Sequence, residues 1–124
     1  MKLEQIYQLS IEMGIKSDLR GHQAARNQLI SVRKKYAKLS KEAKEDFDTE
    51  LLINPYPDSR LAFGKLDTEV KKVLAGIDMK TAEILVADRL GNIDLIIGHH
   101  PEGRSLTELD EQMHLQAEIL EKYG

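Results

Sequence analysis

The chain has no cysteine among its 124 residues. That excludes a disulfide scaffold, a thiolate nucleophile and a cysteine-ligated metal, and it accords with a reducing compartment. There is no run of about 18 apolar residues and no basic-then-apolar leader, so neither a membrane span nor a secretion signal is read. The expected location is cytoplasmic. Charge of one sign is scarce too: 18 basic and 21 acidic side chains give a formal net charge of -3, and no block is long enough to create a single-sign field. A nucleic-acid partner is therefore not expected. The densest basic stretch, VRKKYAK at 32–38, reads as a solvated helix face, because Val32 and Tyr36 stand four apart toward a core. Motifs for common chemistries are missing as well. No GxxxxGK[ST] cradle, HExxH helix or Ser-His-Asp order occurs, and GKLD at 64–67 lacks the upstream glycine of a phosphate loop.

What is present is a folded pattern, 41% hydrophobic with three prolines. Leu3, Ile6, Leu9 and Met13 recur at gaps of three and four, which predicts a helix over 1–16 that ends near Gly14. SDLRG at 17–21 breaks it. Ala25, Leu29, Val32, Tyr36 and Leu39 then predict a second amphipathic helix from His22, and Ser40 can cap a short third one with Ala43 and Phe47 inward. Residues 1–53 thus read as a helical N-terminal segment. NPYPDS at 54–59 punctuates the chain, and 54–124 reads as a metal-binding α/β half-domain.

VLAGI at 73–77 and IDLIIG at 93–98 are apolar without polar alternation, the texture of strands covered on both faces. Between them Ala82, Leu85, Val86 and Leu90 share one helical side, and Gly91-Asn92 turns the chain back. Strand, helix, strand predicts a right-handed β-α-β unit in a parallel sheet. A last helix over 106–123 is expected to bury Leu109, Met113, Ala117 and Leu120. Either RLAFG at 60–64 adds a strand to this sheet, or residues 54–124 are the leading part of a longer unit. The fold class is α/β: a parallel β-α-β core preceded by two or three helices.

At the end of the second strand stands Gly98-His99-His100-Pro101, at the edge where parallel sheets hold ligands. Gly98 permits a sharp departure and Pro101 restricts the backbone before it, so two imidazoles can address one metal, or two metals about 3.5–4 Å apart. Imidazole suits divalent zinc, iron, cobalt or nickel, whereas magnesium prefers oxygen. Asp78 and Glu102 are candidates to complete the site, and Asp78 also has a reading as the cap of the helix after Met79. His114 and Glu118, with Asp110 one turn upstream, have a spacing that any polar helix face gives by chance. His22 has a structural or solvent-facing role. The alternative for His99 and His100 is a pair that holds a turn through backbone hydrogen bonds.

VKKVLAGIDMKTAEILVADRLGNIDLIIGHHPEG resembles the NIF3-like (DUF34) family, also labelled the GTP cyclohydrolase 1 type 2 homologue family, over about residues 58–103. In that family a strand ending in Asp leads through a helix to an Asp-Leu-Ile-rich strand closed by His-His-Pro. The resemblance implies a two-metal centre with His99 and His100 as ligands, manganese joining the candidate ions, and a homo-oligomer. It also implies metal-assisted hydrolysis of an unspecified small molecule when the site is complete; the alternative is a non-catalytic metal-binding or scaffold module. The family's other ligands are an Asp in a later loop and a His-x-x-x-Glu near its C-terminus. His114 to Glu118 has that form but comes too early in the order to take the role. Where typical members carry Asp-Asn-x-Gly-Leu before the first long strand, this chain has NPYPDSRLAFG.

Overall fold

A computed structural model describes residues 1–107 and 109–124. Three helices come first: α1 (Leu3–Ser17), α2 (His22–Ala37) and α3 (Lys41–Glu45), followed by a 3-10 turn at Thr49–Leu52. The parallel β-α-β core follows as β1 (Val73–Gly76), α4 (Thr81–Leu90) and β2 (Leu95–Gly98), and α5 (Arg104–Thr107) and α6 (Leu109–Tyr123) complete the order. The α/β class expected from the pattern is thus the observed one. The expected single helix over 106–123 crosses Glu108, which lies outside the described residues.

Helix α1 passes through Gly14 instead of stopping there, and its inward stripe is rotated from the expected one. Leu3 and Ile11 are buried, Tyr7 and Gly14 half-buried, and Leu9 and Met13 exposed. The cause is the proline turn. The Tyr56 ring lies so close over Gly14 that a Cβ there would sit 2.8 Å from Tyr56 Cε2. Asn54, only 2% exposed, donates from Nδ2 to the Tyr7 hydroxyl (3.1 Å) and the Ser59 carbonyl (2.6 Å) and accepts from Tyr56 N–H (2.8 Å). NPYPDS therefore does more than interrupt regular pairing: its side chains supply the surface on which α1 packs.

Gly21, with φ 97°, turns the chain into α2, where fully buried Ala25 permits close approach. The basic face of α2 is solvated as expected, with Arg33, Lys34 and Lys35 exposed. Ser40 caps α3 by accepting from Ala43 N–H (3.2 Å), but Ala43 itself is exposed; the half-buried Phe47 after α3 packs its ring at a tilt 4.9 Å from that of Tyr36.

Backbone bonds tie the start of the chain to the approach of β1: Leu3 N–H to Thr68 O (2.9 Å) and Val70 N–H to Met1 O (2.7 Å). The strands pair in parallel with Val73 opposite Leu95 and Gly76 opposite Gly98. Asp94 fixes that register, its Oδ2 accepting the N–H groups of Lys71 and Lys72 at 2.9 Å each. Those two bonds hold its carboxyl below the usual carboxylate range.

Burial corrects three expectations. The strands are not covered on both faces: Val73 and Ile97 are each 43% exposed, because the sheet has two strands and α4 turns Ala87 inward while Leu85, Val86 and Leu90 face out. RLAFG forms no strand, and Phe63 is 96% exposed. The stripe of α6 is exposed at Leu109, Met113, Ala117 and Leu120. Polar groups anchor α6 instead: Arg20 donates to Glu118 (2.8 Å), and Lys122 and Tyr123 donate to the Leu19 carbonyl (3.0 and 2.9 Å). Among the described residues no helix is long and apolar enough to cross a membrane.

Candidate metal centre

The histidine loop is shaped by the backbone of β1. His99 N–H donates to Gly76 O (3.0 Å) and Ile77 O (3.1 Å), and His100 N–H donates to Ile77 O (2.9 Å), so the turn after β2 folds over the end of the neighbouring strand. The two imidazole rings lie 5.3 Å apart, centroid to centroid, at 34° to one another. Both residues are exposed.

Asp78 faces them. His100 Nδ1 and Asp78 Oδ1 are 2.9 Å apart. A carboxylate only accepts, so the bond assigns the proton to Nδ1 and leaves the lone pair of a neutral ring on Nε2. The hydrogen bond from His100 holds the Asp78 carboxyl below the usual carboxylate range, with the Lys80 charge adding to it. Asp78 does not cap α4, since that place belongs to Lys80, whose N–H is taken by Glu83 Oε2 (2.9 Å).

The loop lines a cleft of about 660 Å³ whose lining also includes Tyr7, Arg60, Phe63, Met79 and Ile97. Its volume is that of a small-molecule site and its lining is largely apolar. Two of these lining residues belong to a half-buried polar network: Arg60 pairs with Asp48 and Glu50, and Tyr7 donates to Glu50. Burial and then the Glu50 carboxylate push the Tyr7 phenol upward, so it stays protonated. Tyr7 and Arg60 carry no motif signal, because the turn at 54–59 brings them together from distant positions.

Among the described contacts, none joins another candidate residue to the histidines. Glu102 is exposed and lines the cleft without a bond to either ring among the described contacts. Glu118 is committed to Arg20, and His114 is exposed. His22 is exposed, its Nδ1 lying 3.0 Å from the Ile15 carbonyl, within the structural or solvent-facing role expected of it. Among the described residues no group of three or more His, Cys, Asp or Glu side chains converges as a complete metal site. What the structure brings together here is two neighbouring imidazoles and one carboxylate, Asp78, bonded to the His100 ring. No protein-family description, curated protein or solved structure matches the chain.

Proposed function

We propose that this chain is a cytoplasmic divalent-metal-binding protein of the NIF3-like type, with His99 and His100 as ligands and Asp78 as the carboxylate that orients His100. The single observation behind this reading is the 2.9 Å Asp78–His100 bond beside the His99 ring, at the carboxyl edge of parallel strands. A ligating histidine that gives its other N–H to a carboxylate is fixed in ring orientation and made a better donor. Zinc, iron, manganese, cobalt and nickel are the ions to test, since imidazole selects against magnesium. His99 and His100 would hold such an ion, which would supply the Lewis acidity used in metal-assisted hydrolysis. The chain's own contribution is to hold two imidazoles at fixed separation beside a cleft of small-molecule size.

The second reading is a non-catalytic module that self-associates. Its support is the outward face of α4, where Leu85, Val86 and Leu90 line a shallow apolar groove. Native mass spectrometry tests both readings in one sample, because it reads metal per chain and chains per particle together. Wild type exchanged with zinc or cobalt is expected to carry metal, and His99→Ala and His100→Ala to lose it with unchanged circular dichroism. Wild type that carries none, or variants that keep it, overturns the metal reading; particles of one chain at every concentration overturn self-association.

A further inference from the structure

Both strands end on glycine, and the two glycines are register partners, Gly76 opposite Gly98. Neither adopts a positive φ, so backbone conformation does not demand glycine at either position. Packing does. A Cβ added to Gly76 would lie 2.7 Å from Met79 Sδ, and one added to Gly98 would lie 3.3 Å from Met79 Cγ and 3.4 Å from its Cβ. Sulfur and carbon cannot approach that closely without a shift, so the Met79 side chain occupies the space that both glycines leave open. Met79 also follows Asp78 directly, and the loop it lies against carries His99 and His100.

We propose that Met79 is a positioning residue, its side chain seated across the paired Gly76 and Gly98 so that Asp78 and the histidine loop are held at one separation. The thioether chain is flexible enough to fill this irregular notch and apolar enough to stay there. Its consequence for metal affinity rests on the metal reading above; its consequence for the loop does not. Groups that orient a ligand histidine are worth about 10–100-fold in metal affinity. Met79→Ala empties the notch, Gly76→Ala expels the sulfur from it, and Met79→Leu keeps it filled.

Two measurements on the full chain separate these consequences: cobalt affinity from the visible absorption of the bound ion, and hydrogen exchange at the His99 and His100 amides without metal. Met79→Ala and Gly76→Ala are each expected to weaken cobalt binding about tenfold or more and to speed both amides several-fold. Met79→Leu should stay close to wild type, and the Gly76→Ala/Met79→Ala double variant should be no worse than either single change, since both remove one packing interaction. Unchanged amide exchange and cobalt affinity in both single variants overturns the proposal. Wild type that takes up no cobalt sinks the metal reading instead, and amide exchange still decides Met79. If Met79→Ala does not fold, Gly76→Ala decides alone.

Discussion

Asn54 offers the sharpest test of how the cleft is built. It is 2% exposed and serves three groups at once: the Ser59 carbonyl and Tyr7 hydroxyl accept from its Nδ2, and Tyr56 N–H donates to its Oδ1. Asn54→Ala strands all three, although Tyr7 keeps Glu50 as acceptor. An uncompensated buried polar group costs about 1–3 kcal/mol; Tyr56 is half-buried and the exposed Ser59 can turn its carbonyl to water, so the two backbone groups together give a loss of roughly 1–3 kcal/mol. A domain of this size has about 5–15 kcal/mol in total, which makes that loss a large fraction of its stability. Asn54→Asp should be no milder: it keeps the acceptor for Tyr56 N–H but turns an oxygen toward the Ser59 carbonyl and buries a charge near Glu50. Urea unfolding followed by circular dichroism reads both variants, with an unchanged slope required for the comparison. An Asn54→Ala midpoint within about 0.5 kcal/mol of wild type would mean that water replaces all three bonds, and the turn would not be the anchor of the cleft wall.

Two further outcomes follow from neighbouring contacts. Gly14→Ala should destabilise the chain despite a helix-propensity gain of about 1 kcal/mol, because the added methyl meets the Tyr56 ring at 2.8 Å; a rise in melting temperature would show that the ring moves freely. Burial raises the Asp18 carboxyl, but hydrogen bonds from the Arg20 side chain and backbone outweigh it and the net shift is downward; Tyr56, which donates to Asp18 (3.1 Å), is pushed up to about 12 by burial and then by that bond. A depressed folded value means that the Asp18 contribution is complete above the ordinary carboxylate pKa of about 3.9 and is lost as pH falls through the lower folded one. Asp18→Asn should therefore cost about 1.5–3 kcal/mol at pH 7 in urea unfolding and progressively less toward pH 2; a penalty independent of pH would refute the ionic origin.

The order of elements was legible in the sequence because it depends on local period and punctuation. Three helices, a turn, and a strand-helix-strand unit follow from spacing that any chain must satisfy to pack at all. Which face of each helix turns inward was less legible, since that depends on what lies opposite. Helix α1 follows Tyr56 and Asn54 rather than its own most apolar stripe, and α6 is held by Glu118, Lys122 and Tyr123 rather than by Met113 and Leu120. In both cases a few directional polar contacts outweigh a nondirectional apolar tendency that the two-stranded sheet offers too little surface to satisfy.

The candidate site divides along the same line. Gly98-His99-His100-Pro101 is contiguous and needs only the edge rule of parallel sheets to be singled out. Asp78 had two roles open, cap of α4 or a carboxylate completing the metal site, and the register gives it a contact that neither named, a bond to His100. Gly76 pairs with Gly98; Asp78 lies two residues past the first and His100 two past the second, so equal offsets along parallel strands about 4.8 Å apart bring the carboxylate and the imidazole side by side. The pairing is legible in the residue order itself: with GID at 76–78 written beneath GHH at 98–100, glycine falls on glycine and Asp78 on His100. The same alignment leaves the notch that Met79 fills, which makes the strand ends, rather than the histidines alone, the feature that gives the loop its shape.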